Sequence, residues 1–89
     1  MEPLKVSSLS RTSGVAGAIA GMFREHHYVE VQAIGAGAVN QSVKAIILAK
    51  QFLQLEEIQI AFTAVLVDAE IDGNVKTAIK FIIEPRQQP

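Results

Sequence analysis

The sequence predicts an α+β fold, with two helices packed on one face of a four-stranded mixed sheet in the order β-α-β-α-β-β. Two segments, around Val15 to Phe23 and Val39 to Phe52, repeat apolar residues at helical spacing. Four others alternate apolar and polar residues at strand length, and Asp72-Gly73-Asn74 marks a tight turn that joins the last two as a hairpin.

Leu4-Lys5-Val6-Ser7 alternates and predicts a short first strand. The polar loop from Ser8 to Ser13 follows, in which Thr12 or Ser13 offers a hydroxyl to cap the next helix. Val15, Ala18, Ile19, Met22 and Phe23 fall on one helical face, with Arg24 and Glu25 at its end. Gly14, Gly17 and Gly21 oppose that helix, since an interior glycine costs about 1 kcal/mol relative to alanine. Gly17 and Gly21 share a face, which predicts close packing against the sheet or a neighbouring helix; close approach of a partner is the alternative.

Tyr28 to Ile34 sets Val29, Val31 and Ala33 against Glu30 and Gln32, a strand with one buried face. Gly35-Ala36-Gly37 turns the chain into a second helix, about Ala38 to Phe52. Val39, Val43, Ile46 and Ile47 form one stripe on it, Ala45, Leu48, Ala49 and Phe52 another, and Asn40, Gln41, Lys44 and Gln51 a narrow polar remainder. A helix apolar round most of its circumference is buried on more than one side, which in a chain of 89 residues predicts a homo-oligomer, a dimer above all. Ile58 to Ile71 is the third strand, with Ile58, Ile60, Phe62, Ala64 and Leu66 on one face. After the turn, Val75, Thr77, Ile79, Phe81 and Ile83 alternate with Lys76, Lys80 and Glu84. Residues 1–86 form a single domain and residues 87–89 a frayed tail.

Composition narrows the function. A chain of 89 residues makes one small domain. Eight Lys and Arg against nine Asp and Glu give a net charge of −1, which excludes a strongly basic histone-like protein but leaves room for a local basic patch. With no cysteine there are no disulfides, thiolate metal sites or cysteine nucleophiles. The start, Met1-Glu2-Pro3-Leu4-Lys5, lacks the shape of a signal peptide. The longest apolar run falls far short of the roughly 20 residues a bilayer span needs. A soluble cytoplasmic protein that makes no membrane contact is expected.

The candidate chemistry is thin. His26 and His27 are adjacent and diverge on a helix, so they cannot ligate one metal together; they fit a helix C-terminus, where cations complement the dipole. Asp68, Glu70 and Asp72 approach the hairpin tip, where a hard cation would need six or more oxygens. They read better as a solvated edge whose charge blocks edge-to-edge pairing. No Ser/His/Asp arrangement, buried carboxylate pair or Schiff-base lysine stands out, so no enzyme, small-molecule substrate, cofactor or metal is expected.

One region offers a binding edge. Gly35-Ala36-Gly37 lies between strand and helix, where main-chain N–H groups can face a phosphate. Asn40 breaks the full dinucleotide-binding glycine pattern and no Walker lysine follows, but contact with a nucleic-acid backbone asks for less. If the first two strands are parallel neighbours, the hydroxyl-rich loop Ser7, Ser8, Ser10, Arg11, Thr12 and Ser13 leaves the same sheet edge. Lys5, Arg11 and Lys44 are then candidates for phosphate contact. Ser7, Ser8, Asn40 and Gln41 would donate hydrogen bonds, and Gly35 and Gly37 would supply main-chain amides. Ordinary loop chemistry and helix capping account for the same residues equally well.

Leu4-Lys5-Val6-Ser7 and Gly14-Val15-Ala16-Gly17-Ala18-Ile19-Ala20-Gly21 resemble the stage V sporulation protein S family, as do Val31-Gln32-Ala33-Ile34-Gly35-Ala36-Gly37-Ala38-Val39-Asn40-Gln41-Ser42-Val43-Lys44-Ala45-Ile46. The likeness continues through Ile71-Asp72-Gly73, Thr77-Ala78-Ile79-Lys80 and Glu84-Pro85-Arg86. It implies an Alba-like fold, dimerisation, a place in spore formation and, through the Alba likeness, nucleic-acid binding. The Alba pattern carries over unevenly. Its lysine-rich first loop corresponds to serines and Arg11, the basic flanks of its second-strand glycine to Ile34 and Ala36, an early lysine of its second helix to Gln41, and its basic hairpin to the largely acidic segment from Asp68 to Lys76. Each difference lowers affinity for duplex DNA, so the fold implies the ligand only loosely. Two function classes follow: a dimeric regulator that binds DNA or RNA weakly, and a homo-oligomeric protein-interaction module that binds neither. The charge of the assembled edge discriminates them.

Overall fold

The computed structural model describes residues 2–87, so Gln88 and Pro89 of the expected tail lie outside the described residues. The elements are β1 (Leu4–Val6), α1 (Thr12–His26), β2 (Val29–Ala33), α2 (Ala36–Gln54), β3 (Ile60–Ile71) and β4 (Asn74–Pro85), the order read from the sequence. The sheet runs β1-β2-β4-β3. β1 and β2 are parallel, with Val6 opposite Ala33, and the other pairings are antiparallel. It is a mixed α+β sheet, as predicted.

Registered partners share a face. Val31 lies opposite Phe81 and Phe81 opposite Ala64, so Val29, Val31, Ala33, Phe81 and Ile83 turn one buried face toward the helices. Glu30 and Gln32 alternate with them and stay half-buried on the open face. The helices close the core with Ala16, Ile19, Ala20 and Phe23 of α1 and Ala38, Ala45, Ile46, Ala49 and Leu53 of α2.

The helical stripes are rotated from their predicted positions. In α1 the buried face runs through Ala16 and Ala20, while Ala18 is exposed. In α2 it runs through Ala38, Ser42, Ala45, Ala49 and Leu53, while Ile47 and Phe52 are exposed. Small residues on the buried line bring the two helices close, and bulkier ones are displaced to its flanks. Ser42 is tolerated there because its hydroxyl donates to the Ala38 carbonyl at 2.8 Å. Gly17 and Gly21 do not serve close packing: a Cβ at either would meet nothing within 4 Å. The predicted hydroxyl cap of α1 is also absent, because Arg11 is the N-cap residue and Thr12 already opens the helix.

α2 is longer than read, and residues 58 and 59 precede β3 instead of belonging to it. The hairpin turn is as predicted: Asp72 and Gly73 both take positive φ, 51° and 79°, the geometry of a type I′ turn. Pairing between β2 and β4 stops at Ala33 opposite Ile79, while β3 and β4 continue to Ile71 opposite Asn74. The hairpin therefore overhangs β2 as an arm, and the molecule is elongated at 42 × 26 × 20 Å.

Candidate nucleic-acid interface

Because β1 and β2 are parallel neighbours, both strand-to-helix turns leave the same end of the sheet. α1 begins after Arg11 and α2 after Gly35, neither start carries a side-chain cap, and neither first turn contains an acidic residue. The free N–H groups of both first turns thus project at one edge with no competing carboxylate of their own. Gly35 makes the second start possible, since φ 90° with ψ 157° is backbone that essentially only glycine adopts.

Internal contacts hold the two turns together. The Ser7 N–H donates to Ser10 Oγ at 2.9 Å, and the Leu9 N–H to Ser7 Oγ at 3.1 Å. The Ser10 N–H returns to the Ser7 carbonyl at 3.1 Å, closing a compact turn. Gln41 then ties α2 to that loop: its Nε2 donates to the Ser10 carbonyl at 2.8 Å and to Thr12 Oγ1 at 3.3 Å. Gly37 lets Ser8 lie directly against α2.

The nine candidate residues consequently divide. Ser7, Gly35 and Gly37 are exposed yet shape the edge through the Ser7 Oγ bond, the Gly35 backbone and the approach of Ser8 to Gly37, and half-buried Gln41 has its amide nitrogen engaged inside the fold. Lys5, Ser8, Arg11, Asn40 and Lys44 are exposed. On α2, Gly37, Asn40, Gln41 and Lys44 are spaced to share the side that meets the loop. Lys5, Ser7 and Ser8 also border a separate cleft of about 330 Å³, shared with Gln32, Ile34, Ala69, Glu70 and Ile71.

That cleft was not foreseen. The hairpin arm overhangs the end of β2 and puts Glu70 on the wall of the cleft that Lys5 also borders, whereas the sequence suggested only a solvated carboxylate at the hairpin tip. The available signal was the length of the last two strands against the short second strand. Glu70 adds negative charge to this side of the edge, so the cationic side is the one bearing Arg11 and Lys44.

Two acids are neutralised away from the edge. On the open face of the sheet, the Tyr28 hydroxyl donates to Glu30 Oε2 at 2.6 Å, and Lys80 Nζ lies 3.5 Å from Glu30 Oε1. The Tyr28 hydrogen bond, with the Lys80 charge behind it, holds the Glu30 carboxyl below the usual carboxylate range and pushes the Tyr28 phenol up. At the far ends of the helices, Arg24 grips Glu56 through Nε and a terminal nitrogen, the latter at 2.7 Å. Tyr28 is thus tied to Glu30, and the partly exposed Phe52 and Phe62 belong to α2 and β3, so neither phenylalanine extends the edge as a stacking platform.

Among the described residues, no helix is long and apolar enough to cross a membrane, and no group of three or more His, Asp or Glu is arranged to hold a metal. Fold and edge together define a small α+β domain of Alba-like topology, with two helix starts joined at one end of a mixed sheet. The family model for stage V sporulation protein S (SpoVS) matches residues 2–86, nearly the whole chain. The chain belongs to that family, which gives it a role associated with sporulation.

Proposed function

We propose that this protein is a non-enzymatic, cytoplasmic regulator in sporulation that binds nucleic acid weakly, as a dimer, through the paired helix starts and their flanking cations. The observation that carries this reading is the juncture at Gln41, where the α1 and α2 starts are held side by side with no acid in either first turn. Arg11 and Lys44 supply charge, and Ser8 and Asn40 supply exposed hydrogen-bonding groups. A net charge of −1 and so few cations keep affinity low and strongly dependent on salt. Dimerisation sets two such edges on one assembly, and effective concentration strengthens contacts that are individually weak. The edge binds phosphate, sugar and base edges directly, without cofactor, metal, membrane or small-molecule substrate. Fluorescence anisotropy with duplex DNA, single-stranded DNA and RNA over a salt series tests the reading. Binding that weakens with salt and disappears in Arg11→Glu supports it, and absence of binding at low salt from a folded oligomer refutes it.

A second reading, a homo-oligomeric protein-interaction module that binds no nucleic acid, is favoured by a different observation. An open groove of about 420 Å³ runs between α2 and β3, and its wall includes the exposed Ile47 and Phe62. A folded oligomer that ignores all three nucleic acids in the same assay would select this reading.

A further inference from the structure

β3 is the outer strand of the sheet, paired with β4 on one side only. An open edge twelve residues long invites pairing with another chain, and proteins usually blunt such edges with charge, proline or a bulge. Residues 60–67 contain no charged residue and no proline, and their register with β4 runs without interruption. Phe62, Val65 and Leu66 are 41%, 43% and 74% exposed, with Phe62 and Leu66 on the helix-side face and Val65 on the other. The acids Asp68 and Glu70 guard only the distal part of the strand.

We propose that β3 pairs antiparallel with β3 of a second copy about a two-fold axis at Ala64, which makes one continuous eight-stranded sheet from two copies of the four-stranded one. This specifies the dimer of the proposed function and rests on it. A two-fold axis at Ala64 sets Phe62 opposite the other copy's Leu66, so two exposed apolar side chains cover each other on the helix-side face. It also sets Asp68 of each copy opposite Ile60 of the other, and Ile60 lines the groove that Lys50 and Arg86 border. The carboxylate of one copy therefore meets the cations of its neighbour. The same axis carries Glu70 past the start of the opposing β3, so Asp68 is the last residue of the ladder. The groove between α2 and β3 is then the place where the second copy's Leu66 and Asp68 seat.

The chain has no native cysteine, so a single introduced one reports on the register. Directly opposed residues of antiparallel strands have Cα atoms about 4.5–5.5 Å apart, within disulfide range. The full chain should sediment as a dimer. Ala64→Cys should cross-link to itself under mild oxidation, Phe62→Cys alone should not, and Phe62→Cys with Leu66→Cys should. Leu66→Asp, at a position exposed in the single copy, should weaken dimerisation by about tenfold or more while leaving the circular dichroism spectrum intact. A dimer that persists in Leu66→Asp and gives no Ala64→Cys cross-link lies on another face; it overturns this pairing and leaves the dimer standing. A wild-type monomer overturns both. A cross-linked dimer that binds no nucleic acid supports the pairing and sinks the nucleic-acid reading instead.

Discussion

Ser8 Cβ lies 2.7 Å from the point where a Cβ on residue 37 would stand. No ordinary pair of side chains packs that closely, so the glycine and the serine loop are matched to one another. The contact brings the β1–α1 loop onto the first turn of α2, and the rest of the edge depends on that approach.

Gly37→Ala should therefore displace the Ser8 loop and destabilise the fold by about 1–3 kcal/mol, the ordinary cost of overpacking. Ser8→Gly removes the opposing Cβ and should recover part of the loss in the double variant. Chemical denaturation of both variants and the pair measures this, and independent, additive effects would mean that the two residues are not in contact.

Gln41→Ala deletes the donor that joins α2 to Ser10 and Thr12. The expected loss is about 1 kcal/mol, with faster amide exchange in the first turn of α1. Nucleic-acid affinity should fall as well, because the two helix starts separate. Unchanged exchange in α1 would show that the loop keeps its place without this tether.

Gly17 and Gly21 sit in α1 with open space beside them. Gly17→Ala and Gly21→Ala should each raise stability by roughly 0.5–1 kcal/mol, because alanine restricts the unfolded chain at no steric cost in the helix. Thermal melts test the sign. Destabilisation in the isolated protein would contradict the open space beside both glycines.

Glu30 is depressed from its ordinary value of about 4.5, first by the Tyr28 hydroxyl and then by Lys80. Its contribution is present above the ordinary carboxylate range and is lost as pH falls through the lower folded value, because the unfolded chain takes up the proton first. Tyr28→Phe should lower Tm near neutral pH, and the gap from wild type should narrow on acidification. A gap that widens in acid would reverse the assignment.

Much of the fold was legible because its patterns are local. Val29, Val31 and Ala33 alternate cleanly with Glu30 and Gln32, and Asp72-Gly73 specifies its turn by chemistry alone. The helical stripes were harder to place. In α2 apolar residues lie round most of the circumference, so periodicity does not select Ser42 and Ala45 over Val43 and Leu48; packing against α1 does. Part of the edge was legible in the same way, since Gly35 and the serine loop follow from strand and helix order. The tether from Gln41 to Ser10 spans 31 positions, and the cleft shared by Lys5 and Glu70 depends on how far the hairpin overhangs β2. Neither has a local signature.

If the joined helix starts bind a polyanion, Arg11 and Lys44 must carry the contact. The most direct measurement is anisotropy of labelled duplex DNA, single-stranded DNA and RNA against wild type, Arg11→Glu and Lys44→Glu over a salt series, with fold and oligomeric state checked in parallel. Wild type should bind weakly, with affinity that declines steeply with salt, and both folded variants should lose binding. Binding that survives both substitutions would contradict the assignment of the edge, and no binding by wild type at low salt would contradict the function itself.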